Sequence, residues 1–160
     1  MRLEPWHQRV ADPLVAPEVA SQIADSGHLV QHFGRWPTFE DAELVSIKFN
    51  RGNHMAVAER DDWRQRIPPT LEARFYVFNA EVGPESSERR PAEVSLQFSE
   101  LHEAQIQGLG CQNPIQGLGI HIEQVESLRQ ACFRVNWGGA GHEVSLLCTS
   151  IAVCSVEPNP

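Results

Sequence analysis

No stretch of this 160-residue chain approaches the run of roughly 18–20 apolar residues that a membrane-crossing helix needs. The opening M-R-L-E-P-W-H-Q-R-V-A-D-P lacks the apolar core of a secretion signal, so a cytosolic (cytoplasmic) location is expected. Cysteine is sparse. Cys111, Cys132, Cys148 and Cys154 form no C-x-x-C pair, and the interval between the last two matches no zinc framework. In a reducing compartment they are expected to stay thiols, packed as small apolar side chains. Basic residues are in deficit: 13 Lys and Arg against 21 Asp and Glu leave a formal net charge of −8. A nucleic-acid backbone needs a basic face, so nucleic acid is excluded as the main partner. A basic protein partner is permitted, because complementary charge speeds and orients encounter. The 41% apolar and 21% charged content is that of an ordinary soluble globular protein. The length suits one domain over residues 1–160, with a core that needs no staples.

The N-terminal region reads as a short helix. In P-E-V-A-S-Q-I-A-D-S, residues 17–26, Pro17 suits a first turn, Val19 and Ile23 share a face, and Gly27 suits the position past the end. H-L-V-Q-H-F then continues as a further helical turn or as a connector. From residue 43 the apolar period becomes two. Val45, Ile47 and Phe49 alternate with Ser46 and Lys48; Leu71, Ala73, Phe75 and Val77 alternate with Glu72, Arg74 and Tyr76; Ala92, Val94, Leu96 and Phe98 alternate with Glu93, Ser95 and Gln97. Further strands are expected near 102–108, 117–125, 129–137 and 142–156. The last changes phase at Thr149 and Ser150, which suggests a bulge or two shorter strands. Residues 82–91 and 137–142 supply turn residues, and Pro68 with Pro69 interrupts pairing after the charged excursion at 61–69. The fold class is mainly β (α+β): a largely antiparallel sheet or sandwich with a short N-terminal helix.

Several catalytic patterns are missing. There is no G-x-S-x-G elbow, and the glycines near Cys111 and Trp137 fit neither a phosphate loop nor a dinucleotide fingerprint. His7, His28, His32, His54, His102, His121 and His142 are scattered. His28 and His32 stand four apart as zinc-binding pairs do, but H-L-V-Q-H has no catalytic glutamate between them. What does stand out is Glu40, Asp41 and Glu43 ahead of the first strand. Extending the alternation backwards from Phe49 places Glu43 and Asp41 on its mainly inward face, where an ionised carboxylate must be paired or hydrogen-bonded. One outcome is a metal or general-base site at the rim of the sheet. The favoured one is that extended geometry has not begun at Asp41, whose side chain caps the turn at Pro37, while Glu43 pairs with an arginine. Among the aromatics, Trp36, Trp63, Trp137 and Tyr76 are the types that anchor interfaces. Trp36, beside Phe33 and Phe39, is expected in the core, and Trp63, in a charged loop, at the surface.

The stretch F-G-R-W-P-T-F-E-D-A-E-L, residues 33–44, resembles the immunity protein 50 family of bacterial polymorphic-toxin systems, whose members carry a phrase like F-G-x-W-P-S-F-H-D-A-E-V. The pieces V-S-L-Q-F-S-E-L, C-Q-N-P-I-Q-G-L-G-I and L-L-C-T-S-I-A-V-C-S-V-E-P agree in order, so the resemblance runs from about residue 30 to the C-terminus. The first phrase is fairly specific and the others looser. The matching positions are Phe33, Gly34, Trp36, Pro37, Phe39, Asp41, Ala42, Glu43, Gln112 and Asn113. Glu40 departs from the family phrase, which has histidine there, and imidazole and carboxylate differ in charge. The resemblance implies a small, mostly β cytosolic protein that binds a cognate toxin and blocks it without catalysis.

The expected function is therefore toxin neutralisation by occlusion, with no catalytic residue, metal or cofactor assigned. The expected partner is a cognate toxin protein, for which the acidic charge suggests a basic nuclease type, with Glu40, Asp41, Glu43, Asp61, Asp62 and Trp63 as candidate contacts. The alternative is a small metal-dependent hydrolase using Asp41, Glu43 and a histidine such as His54, or a ligand-binding β module.

Overall fold

A computed structural model describes residues 15–52, 67–78, 91–139 and 141–159. Two short helices, α1 (Pro17–Ala20) and α2 (Gly27–Phe33), precede six strands: β1 (Glu43–Asn50), β2 (Thr70–Val77), β3 (Ala92–Gln107), β4 (Gly117–Val125), β5 (Gln130–Gly139) and β6 (His142–Pro158). The helical region is thus split. Pro17 opens α1 as expected, but the chain turns after Ala20, and Gly27 begins α2 rather than ending a single helix. Val19 and Ile23 are both buried all the same.

Among the described residues all six strands belong to one antiparallel sheet in the order β1-β2-β3-β6-β5-β4, so of the two alternatives these residues form a single sheet. The alternations read from the sequence are those of its faces. Leu71, Ala73, Phe75 and Val77 of β2 and Ala92, Val94, Leu96 and Phe98 of β3 are buried, and they pack with Leu118 and Ile120 of β4, Val135 and Trp137 of β5, and Val144 and Leu146 of β6. Val19, Ile23, Leu29 and Phe33 from the N-terminal region complete this core. The other face carries Lys48, Glu72, Arg74, Glu93 and Gln97, with Arg74 and Glu93 ion-paired.

The expected strand at 102–108 is the second half of β3, which runs unbroken to Gln107. The strand expected at 142–156 is likewise continuous, to Pro158. Its apolar phase does switch, from Cys148 to Ile151, but no residue is inserted there. Opposite it, β3 switches together with it, from Phe98 to Leu101, and Glu100 takes a left-handed φ of 53°. The two strands bend as a pair. The true irregularities flank that bend: Cys154 is the extra residue opposite Ser95 and Leu96, and His102 is the extra residue between Leu101 and Glu103. Cys132 and Cys148 are buried as expected, whereas Cys111 and Cys154 are exposed, which corrects the expectation of four packed thiols. Burial pushes the Cys148 thiol up to about 12, with the neighbouring Cys132 adding to the effect.

β1 and the segment leading into β4 stand at opposite ends of the strand order, yet they bond to one another. Leu44 N–H donates to the Asn113 carbonyl at 3.0 Å, and Ile115 N–H donates to that of Ala42 at 2.8 Å. The sheet therefore curls until its two ends meet, and the turn that precedes β1 sits at that meeting point.

Candidate functional site

The turn is built from its left-handed residues. Gly34 closes α2 with φ 82° and donates its N–H to the Val30 carbonyl at 2.7 Å, a conformation that suits glycine. Pro37 is buried, and the Thr38 hydroxyl accepts the Glu40 N–H at 3.2 Å. Phe39 and Asp41 then both adopt positive φ, 61° and 60°, and Ala42 N–H closes the turn on the Phe39 carbonyl at 3.1 Å. Two non-glycine residues in this region within three positions is uncommon, and such conformations persist where the surroundings fix them.

The surroundings here are aromatic and hydrogen-bonded. Phe39 is 1% exposed and meets Phe75 edge-on at 5.5 Å; Phe75 meets Trp137 at 5.3 Å, and Trp137 stacks on Phe98 at 5.9 Å. Trp36 lies 6.1 Å from Phe39 and packs against the core, as expected, and Trp137 is fully buried. Across the junction, Asp41 N–H donates to the Ile115 carbonyl at 3.0 Å, and Leu118 N–H donates to that of Thr38 at 3.3 Å.

The carboxylates fall differently from the alternation extended backwards. The β1–β2 register slips between Leu44 and Ser46, leaving Val45 as a bulge. Ile47 and Phe49 do lie on the core face, opposite Ala73 and Leu71, but one inserted residue reverses every side chain before it. Leu44 and Ala42 therefore point inward, Val45 is exposed, and Asp41 and Glu43 leave the core face. Extended geometry has indeed not begun at Asp41, but the side chain that caps the turn is Thr38, not Asp41. Glu43 pairs with no arginine among the described residues. Its Oε1 accepts the backbone N–H of Asn113 at 2.6 Å. Asn113 in turn locks its own loop, donating Nδ2 to the Gly110 carbonyl at 2.9 Å and accepting the Gly110 N–H on Oδ1 at 2.8 Å.

So Glu43 and Asn113, from two separate phrases of the sequence, meet at the junction. Phe33, Pro37 and Phe39 are buried beneath it, Gly34 caps the helix that leads to it, and Gln112, Glu40 and Asp41 are exposed around it. Asp61, Asp62, Trp63 and His54 lie outside the described residues. Among the described residues no group of three or more His, Cys, Asp or Glu side chains is placed to hold a metal ion. His28 and His32 line an open depression of about 440 Å³ with Gln31 and Val156, on α2 and β6. His121 is exposed on β4.

His142 is the residue that sequence reasoning passed over. It is 5% exposed, and neither ring nitrogen has a hydrogen-bond partner among the described residues. It faces Gly139, where an added Cβ would lie 3.3 Å from the imidazole Cε1 and only 1.9 Å from the Pro114 carbonyl oxygen. The signal was the glycine pair before it, which reads as a hairpin but also makes room for the junction.

The outer face carries one further cluster. Arg134 of β5 donates Nε to Glu123 at 3.0 Å and Nη1 to Glu103 at 2.9 Å. Bonding to Glu123, then to Glu103, holds the guanidinium well above its ordinary value, and the bond from Arg134 lowers the Glu123 carboxyl. One guanidinium is shared by two carboxylates, which ties β3, β4 and β5 together on the outer face and leaves a carboxylate in excess. No protein-family model, curated protein or solved structure matches the chain.

Proposed function

We propose that the protein is a non-catalytic, toxin-neutralising immunity protein that acts in the cytosol by binding and occluding a cognate bacterial toxin domain. The observation that carries this reading is the junction. The fairly specific phrase that resembles immunity protein 50, F-G-R-W-P-T-F-E-D-A-E-L, and one of the looser ones, C-Q-N-P-I-Q-G-L-G-I, are joined by Glu43 and Asn113. Of the polar groups they contribute, Thr38, Glu43 and Asn113 fix the turn, the seam and the loop, as in a binding scaffold, and Glu43 in particular is engaged with backbone rather than held for a substrate. The formal charge of −8 supports a basic toxin domain as the partner, with Glu40 and Asp41 exposed for contact. Among the described residues no helix is long and apolar enough to cross a membrane.

The test is co-purification with the product of the adjacent gene, followed by calorimetry and growth of cells that express that product. One-to-one binding with rescue of growth is the expected result. A folded, active neighbour that neither binds nor is neutralised would overturn the reading.

A further inference from the structure

β3 changes its neighbours half-way along. Its first half lies between β2 and β6, but the β2 ladder stops at Thr70 and Ser99 while the β6 ladder runs on to Gln107 opposite Glu143. Leu101 N–H is still taken up by the Pro69 carbonyl, at 3.1 Å. Beyond it, among the described residues, no strand pairs with the far side of His102–Gln107, and all six residues are exposed. Such a row of backbone groups is a template for another strand. Each of the other rims carries at least one bridge: β1 to the segment at Asn113–Ile115, β4 to Val15 at Ile120, and β6 to Ala24 at Ala152. The rest of β1 also has a bulge and Lys48, both of which discourage pairing; the β3 edge has a bulge at its first residue, His102, but from Glu103 to Gln107 its register against β6 is regular and it contains no lysine, arginine or proline.

The two faces of this edge specify what would fit. Ala104 and Ile106 lie opposite Leu146 and Val144, which are fully buried, so they extend the core face to the rim; Ile106 is 39% exposed. Glu103, Gln105 and Gln107 occupy the other face, where Glu103 and Glu123 share Arg134 and where Glu143 adjoins Gln107. Glu100 stands at the start of the edge. Carboxylates outnumber cations along it, so a matching strand carries apolar residues toward Ala104 and Ile106 and basic residues on its opposite face.

We propose that the β3 edge from His102 to Gln107 receives an extended, basic segment of the toxin partner as an added strand. This rests on the binding function above and locates its surface. A second copy of the chain fits less well, because two chains of −8 repel at close range.

Amide hydrogen exchange, measured on the free protein and on its complex with the product of the adjacent gene, tests this. In the complex, alternate amides within His102–Gln107 should slow at least tenfold. A complex that forms while these amides are unchanged overturns the inference and leaves the binding function standing. Protection that grows with concentration in the free protein overturns it in favour of a second copy. Absence of any complex overturns the binding function and this inference together. The exposed variants Gln105→Lys and Gln107→Lys, which put no load on the fold, should each weaken binding at least threefold, and Gln107→Glu should not. Equal affinities for all of them would overturn the basic character assigned to the added strand.

Discussion

Glu43 holds the Asn113 backbone N–H across a seam between distant parts of the sequence, and that single bond sets its expected mutational signature. Glu43→Ala leaves a part-buried donor without a partner and should cost about 1–3 kcal/mol in urea denaturation. Glu43→Gln keeps an acceptor oxygen and should cost clearly less; equal losses would mean that the charge, not the acceptor, holds the seam. Two residues earlier the constraint is on the backbone. Asp41 is exposed with φ 60°, so Asp41→Gly should be neutral or stabilising by at most about 1 kcal/mol, while Asp41→Val should lose about 1–2 kcal/mol. A metal-binding or basic role for Asp41 would instead be insensitive to the shape of the replacement. Cys148 gives a pH signature. Its thiol pKa is raised by burial to about 12 from an ordinary 9.0, so the folded state keeps a proton that the unfolded chain releases. That contribution is complete below about pH 9 and is lost as pH rises toward 12, at no more than about 1.4 kcal/mol per pH unit. In Cys148→Ala the slope of stability against pH in that window should be shallower than in the parent, whatever the absolute stabilities.

At the level of elements, closure of the sheet depends on close approach of backbone at Gly139. A Cβ there would meet the Pro114 carbonyl oxygen at 1.9 Å, so Gly139→Ala must separate β5 from the segment that joins β1. A loss of about 1–3 kcal/mol is expected by thermal or chemical denaturation, against little change for Gly110→Ala, whose added methyl meets nothing within 4 Å. Equal stability of the two variants would mean that the junction is not needed to hold the sheet. The same junction marks the limit of what the sequence discloses. β2 and the first half of β3 were legible because a face that is buried along its length leaves a clean period of two, whereas the exposed second half of β3 keeps no such period and reads as a separate strand. β1 was legible in its second half only. The bulge at Val45 inserts one residue, and a pattern of period two carries no mark of such an insertion, so Asp41 and Glu43 were carried to the wrong face. The split of the helical region was hidden because Gly27 serves equally after one helix or at the start of another. The bond between Glu43 and Asn113 spans seventy residues, and no local spacing encodes it.

For the whole molecule the quantity that matters is the imbalance of charge. At −8 the chain presents a long-range attraction to any basic domain, and such attraction acts on the rate of encounter more than on the lifetime of the complex. Association with the product of the adjacent gene should therefore slow by about tenfold or more as ionic strength is raised from low to several hundred millimolar, since the Debye length shrinks from about 30 Å at 0.01 M to about 3 Å at 1 M. Dissociation should change far less, because contacts within a formed interface are screened weakly. Stopped-flow measurement of both rates across that range separates the two effects. A salt-independent association rate would remove charge as the basis of recognition and with it the expectation of a basic partner. Binding to the folded state also adds RT ln(1 + [L]/Kd) to stability, about 2.7 kcal/mol when the free partner stands at a hundred times its Kd. A partner that binds only the curled sheet should therefore raise the unfolding free energy by that amount in the parent. If the partner is held at the β3 edge from His102 to Gln107, away from the seam, the gain in Gly139→Ala should match that in the parent; a diminished gain would show that the bound surface includes the seam and that binding energy is consumed in closing it.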